Sequence, residues 1–157
     1  MKKKRIMIKP TEEKDLRDIQ SLWNNGEVMK WVGYPNGINI DLNGIKSWFQ
    51  NIKQSPFLNH FSVFDENLEF CGEVFYQVDV AHKRAGLDIK LRPEKQGKGF
   101  GKEALMLLID YVFRNEPEIT AVWTEPSREN ISARKLYTKC GLTRSEERRV
   151  GKECRSR

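Results

Sequence analysis

The run Gln96-Gly97-Lys98-Gly99-Phe100-Gly101-Lys102 brings three glycines and two lysines together at the start of a helical pattern. A glycine-rich turn opening a helix makes an anion site from backbone alone. The first N–H groups of the helix have no internal partners and carry the positive end of its dipole. Glycine lets that backbone come close to a ligand and take positive φ. Lys98 and Lys102 add charge, so a phosphate would suit the turn, although a tight turn with solvated lysines would use the same residues. Two phosphate loops are excluded by spacing. A Walker loop needs Gly five positions before its Gly-Lys pair and Ser or Thr after it, where this chain has Gln96 and Glu103. The dinucleotide fingerprint needs G-x-G-x-x-G, and the glycines here stand at 97, 99 and 101.

The elements that must hold this turn are legible on both sides. Leu87, Ile89 and Leu91 alternate as in a strand. After the turn, Ala104, Leu107, Leu108, Tyr111 and Val112 recur at helical spacing, and Leu105, Ile109 and Phe113 widen the apolar surface, so other elements must cover this helix. Residues 119–125 read as the next strand, and a second helical segment starts at Asn130. Towards the N-terminus, residues 5–9 read as a strand, Thr11 as the N-cap of a helix bearing Leu16, Ile19, Leu22 and Trp23, and residues 31–37 as a loop marked by Gly33 and Pro35. Residues 41–53 form another amphipathic helix. Residues 60–65 and 69–80 alternate as a hairpin with its turn at Glu66-Asn67. Trp31, Tyr34, Trp48 and Phe49 are expected in the core, as aromatic side chains commonly are.

At 157 residues, with 38% hydrophobic and 32% charged residues, the chain suits one soluble domain. The net charge of +6 would ordinarily suggest nucleic acid or a membrane surface, but the excess crowds into residues 2–5 and 144–157. No nucleic-acid or membrane partner is therefore expected, and no aromatic-basic RNA motif occurs. The two histidines and three cysteines form no metal-ligand spacing, so no metal is expected. Sparse cysteine and the lack of a signal-peptide core point to the cytoplasm.

Gln96-x-x-Gly99-x-Gly101, followed after one strand by Asn130-x-x-Ala133-x-x-Leu136-Tyr137 and Gly141-Leu142, resembles the acetyl-CoA-binding motifs of the GNAT superfamily of acetyltransferases, of a Rim-like bacterial type. The resemblance implies an α+β (mixed α/β) fold: a mostly antiparallel twisted sheet with splayed central strands and helices on both faces. It implies that Gln96, Gly97, Lys98, Gly99, Phe100, Gly101 and Lys102 hold the pyrophosphate of acetyl-CoA. The backbone of Ile89, Lys90 and Leu91 and the side chain of Asn130 would hold the pantetheine arm, Asn130 serving equally as an N-cap. Tyr137 would be the general acid for the departing thiolate. The acceptor would be an amine of a small molecule or a protein N-terminus, with Trp31 and Tyr34 facing it. An amine must lose a proton, and Glu73, Asp88 and Glu125 are the carboxylates available; Glu73 is the choice, although all three would equally suit the surface. The strand position where several family members carry a glutamate falls here at Ala85 or Gly86. A non-catalytic CoA-binding member of the fold is the alternative reading, and a small basic nucleic-acid-binding domain a more distant one.

The resemblance ends at residue 142, which bounds the expected domain at 1–142. Residues 143–157 offer only Val150 and Cys154 as clearly apolar side chains. Such a tail is expected to be disordered or loosely attached, whether a natural basic tail or a vector-derived or frameshifted ending. Its loss of apolar strands would leave a sheet edge open, which a homodimer or strand exchange would cover.

Overall fold

A computed structural model describes residues 4–144 and 154–156. Its sheet is built from β1 (Ile6–Pro10), β2 (Leu58–Asp65), β3 (Phe70–Asp79), β4 (Arg84–Leu91), β5 (Ala121–Thr124), β6 (Thr143–Arg144) and β7 (Cys154–Ser156). The spatial order is β1-β2-β3-β4-β5-β7-β6. Every neighbouring pair is antiparallel except β4 and β5.

Helices cover both faces. On one, α4 (Phe100–Asn115) and α5 (Ile131–Lys139) pack on the strands through Ala104, Leu105, Leu108, Val112 and Tyr137. On the other, α1 (Leu16–Trp23), α2 (Gly26–Met29) and α3 (Leu42–Gln54) form a second core around Ile19, Leu22, Ile45 and Phe49. Burying side chains of this size contributes about 1.5–3 kcal/mol each. Strand alternation serves both cores at once: Val74 and Tyr76 point to the first, whereas Glu73 and Phe75 point to the second face.

Local expectations fail in two ways. Thr11 does not cap a helix. Its Oγ1 contacts His60 Nδ1 at 2.7 Å and Ser62 Oγ at 2.9 Å, while Glu12 and Asp15 close the first turn reciprocally. Nothing local marks Thr11 for that contact, because its partners lie on β2. The expected aromatic core also divides. Phe49 is buried and Trp48 packs edge-on against Trp23 and His60, but Trp31 and Tyr34 are exposed.

The expectation for the tail falls largely on residues that the structure does not describe. Residues 145–153 and 157 lie outside the described residues. Thr143–Arg144 and Cys154–Ser156, by contrast, extend the sheet, and β7 pairs with β5 at the edge expected to stand open. Backbone pairing needs no apolar face, which explains how a polar segment can occupy it.

Candidate active site

β4 and β5 are paired only over residues 84–86 and 121–123. One further bond, from Thr124 Oγ1 to the Leu87 carbonyl at 3.1 Å, links them before they part. A cavity of about 840 Å³ opens there, lined by residues 86–91 on one side and 123–126 on the other. In a strand, backbone groups alternate between its two neighbours. Beyond Leu87, those not directed at β3 face the gap with no β5 backbone opposite them. An extended ligand with its own amides would satisfy them.

The glycine turn sits at the end of this gap. Gln96 Nε2 donates to the Leu91 carbonyl at 3.0 Å, which ties the turn to the end of β4. Gly97 and Gly99 have φ of +75° and +82°, and a Cβ on Gly97 would meet nothing, so backbone conformation alone favours glycine there. Gly101 differs: its Cβ would lie 3.0 Å from Leu136 Cδ2, so the missing side chain lets α5 approach α4.

The start of α4 is the decisive local feature. α3 and α5 are closed by Asp41, which accepts from the Gly44 N–H, and Asn130, which accepts from the Ala133 N–H. α4 begins at left-handed Gly99 with no side-chain cap among the described residues. Its first-turn N–H groups are left for a ligand. Gln96, Gly97, Gly99, Gly101 and Lys102 line the cavity. The side chains of Lys98 and Phe100 do not. Arg5 holds that stretch from behind, donating to the Lys98 carbonyl at 2.9 Å, pairing with Glu103 at 2.6 Å and lying 5.2 Å over the Phe100 ring.

Ile89, Lys90, Leu91, Asn130 and Tyr137 also line the cavity. Tyr137 is 3% exposed and enters from the α4–α5 core. Of the carboxylates, Asp88 and Glu125 line the cavity but Glu73 does not. Nor is Glu73 on the surface. At 1% exposure it accepts from Trp23 Nε1 at 2.7 Å and from His60 Nε2 at 3.2 Å through Oε1, while Oε2 lies 3.7 Å from Lys90 Nζ. Lys90 in turn pairs with Asp88. A carboxylate can only accept, so His60 donates from Nε2. Burial pushes the Glu73 carboxyl up, but the His60 bond and charge, the Lys90 charge and the Trp23 bond outweigh it and hold the group below the ordinary range. Asp88 moves the opposite way: burial raises it, Lys90 opposes and Glu73 reinforces the rise.

Trp31 lines the cavity and Tyr34 does not. Trp123 escaped the sequence reading. Its Nε1 is buried without a hydrogen-bond partner among the described residues, and its ring borders both this cavity and a neighbouring hollow of about 540 Å³ over Phe75 and Gln77. Alternation in residues 119–125 could assign it a face, but only the parting of the strands gives that face a cavity. Among the described residues no metal-ligand group occurs, and no helix is long and apolar enough to cross a membrane.

Parted parallel strands, an uncapped helix start at the end of the gap and a helix bearing Asn130 and Tyr137 along it line one cavity, an arrangement that could hold a phosphate-tailed, amide-bearing chain. Residues 5–143 match the model of the acetyltransferase (GNAT) domain. The chain belongs to the GNAT acetyltransferase family. It is an enzyme of acetyl-CoA-dependent N-acetyl transfer. Among its relatives, a spermidine N(1)-acetyltransferase of Escherichia coli K12 is 28% identical over 140 residues, covering 88% of this chain and 73% of that protein. Two solved structures share the GNAT fold. Spermidine N-acetyltransferase from Vibrio cholerae in complex with CoA and spermine superposes with a TM-score of 0.82 at 24% identity, covering 96% of this chain and 93% of that one. The aminoglycoside acetyltransferase AAC(6')-Ib in complex with coenzyme A gives 0.80 at 20% identity, covering 96% and 94%.

Proposed function

We propose that the acceptor is a small, multiply charged amine, a polyamine or aminoglycoside in kind, acetylated on a primary amine. The observation that carries this reading is the similarity to acetyltransferases of such amines, and the cavity that would receive the acceptor is lined by Glu27 on α2, Asp88 on β4 and Glu125 beyond β5 as well as by Lys30, Lys90, Lys102, Lys135 and Lys139, with Glu27 pairing with Lys30 and Asp88 with Lys90. Carboxylates at the mouth of an amine site steer the approach and orientation of a cationic acceptor. The relatives act on such amines: one is named for spermidine, and an aminoglycoside N(6')-acetyltransferase of Klebsiella pneumoniae is 38% identical over 60 residues, covering 38% of this chain and 29% of that protein.

In this reading the first-turn amides of α4 and Lys102 hold the diphosphate of acetyl-CoA, and the backbone of residues 89–91 and Asn130 hold its pantetheine arm. The bound thioester supplies the activated acetyl group. Backbone N–H groups near Ile89 polarise its carbonyl, and Tyr137 protonates the departing sulfur. The enzyme works in the cytoplasm, where such amines and acetyl-CoA occur together and cysteine stays reduced.

The test is thiol release from acetyl-CoA with spermidine, kanamycin and an unacetylated peptide N-terminus as acceptors. Turnover with spermidine or kanamycin at least tenfold above the peptide is the expected result. Preference for the peptide would overturn the acceptor assignment.

A further inference from the structure

We propose that Arg5 is a positioning residue for the diphosphate of acetyl-CoA, holding the glycine turn and Glu103 so that the first N–H groups of α4 are presented to the ligand. It rests on the reading of that turn as the diphosphate site and adds a residue that acts on the site from outside it.

In the sequence Arg5 closes the basic run Lys2-Lys3-Lys4-Arg5, which reads as a solvated end. The fold separates it from that run. Arg5 immediately precedes β1, an edge strand that β2 and β3 separate from β4. Ile6 is buried in the core that also holds Ala104 and Leu105 of α4. That burial fixes the point from which the Arg5 side chain reaches the turn.

The guanidinium first sets the direction of a peptide. Nη1 donates to the Lys98 carbonyl at 2.9 Å. In a trans peptide the carbonyl and the following N–H point in opposite directions, and no peptide bond among the described residues is cis. The Gly99 N–H is thereby aimed away from Arg5, on the side of the turn where Gly97 and Gly99 line the cavity, and it has no hydrogen-bond acceptor among the described residues. Gly99, able to take either sign of φ, would let this peptide turn over and bring a carbonyl oxygen against the phosphate. The bond from Arg5 selects the orientation that presents the donor.

The same group also disposes of a competing charge. Nε and Nη2 both donate to Glu103 Oε1, at 2.8 and 2.6 Å. Glu103 is the acidic residue in the first turn of α4, and its carboxylate, left alone, would repel a diphosphate and compete for the same N–H groups. The ring of Phe100 supports the guanidinium from one face at 5.2 Å, and a Cβ on Gly99 would come within 3.0 Å of Nη2, so glycine at 99 admits Arg5 as well as permitting the turn. A lysine could supply the charge but not this fork. The side chains of Arg5 and Glu103 are 43% and 31% exposed, and an ion pair so open to water adds little to stability. The effect of Arg5 is therefore expected on the ligand rather than on folding.

Arg5→Ala and Arg5→Lys test this with spermidine as acceptor, or kanamycin where the wild type turns that over faster. For Arg5→Ala the expected results are a KM for acetyl-CoA raised at least tenfold, a matching loss of CoA affinity by calorimetry, and a kcat within threefold of wild type. The urea midpoint without CoA should stay close to that of the wild type, which separates this from misfolding. S-acetylpantetheine carries the thioester and the pantetheine arm but no diphosphate, so kcat/KM with that donor should fall less than threefold. Arg5→Lys should keep a KM for acetyl-CoA at least threefold above wild type. A smaller rise in KM for Arg5→Ala, an equal loss with S-acetylpantetheine, or recovery to within threefold by Arg5→Lys would overturn the assignment. A wild type that uses S-acetylpantetheine as efficiently as acetyl-CoA would overturn the diphosphate reading of the turn itself.

Discussion

The indole Nε1 of Trp23 donates to the buried carboxylate of Glu73 at 2.7 Å, joining the end of α1 to the middle of β3 across 50 residues of sequence. This bond ties the α1–α3 layer to the sheet beside the cavity. It also takes up one oxygen of a group that could not remain buried without partners.

Trp23→Phe keeps a ring against Trp48 but removes that donor. Losing a hydrogen bond to a buried charged group costs about 1.5–3 kcal/mol. Urea unfolding should show a lower midpoint with little change in slope.

The Glu73 carboxyl, held below its ordinary range against burial by His60, Lys90 and Trp23, gives stability a definite pH dependence. The pKa is lowered in the folded state. Its contribution is therefore complete above the unfolded value of ~4.3 and is lost as pH falls through the lower folded value. Glu73→Gln should flatten this acid limb in thermal melts taken from pH 6 downwards.

Gly99→Glu should abolish the thermal shift produced by CoA. The substitution forces an L side chain to φ of +82°, at a cost of about 1–2 kcal/mol, and sets a carboxylate at the uncapped start of α4. Gly97→Ala adds strain at φ of +75° but meets nothing within 4 Å. It should lower stability while keeping a clear CoA response.

Tyr137→Phe preserves the buried ring and removes the hydroxyl. Loss of a general acid costs about 100-fold or more in kcat. Cofactor binding, read by calorimetry with CoA, should change little, and an unaltered rate would remove Tyr137 from catalysis.

Burial pushes the Cys71 thiol up to about 11, with Asp65 and Glu69 acting in the same direction against Lys95. Burial likewise raises Cys140. Since the thiolate is the reactive form, both should resist alkylation at pH 7.5 in the native protein and react on unfolding, as peptide mass spectrometry would show.

The glycine turn and the helices on either side of it were legible because their signals are local. Spacing at Gly97, Gly99 and Gly101, periodicity through α4 and the Asn130 cap each depend on a few adjacent residues. The hairpin of β2 and β3 was legible for the same reason. Thr11 was misread because a threonine before a helix ordinarily caps it, and the His60 and Ser62 hydroxyl and ring contacts that outcompete the cap come from a distant strand.

By itself the order of residues determined where the backbone could bind an anion and which helices must be buried, since both follow from short-range geometry and hydrophobic spacing. Only the tertiary structure decided which carboxylate meets the cavity. Glu73 and Asp88 are both acidic residues on strands, but pairing of β3 with β4 seals Glu73 under Trp23 and His60, and the parting of β4 from β5 opens Asp88 to the gap. Strand pairing at long range sets burial, and burial, not residue type, separates a structural charge from one that can meet a substrate.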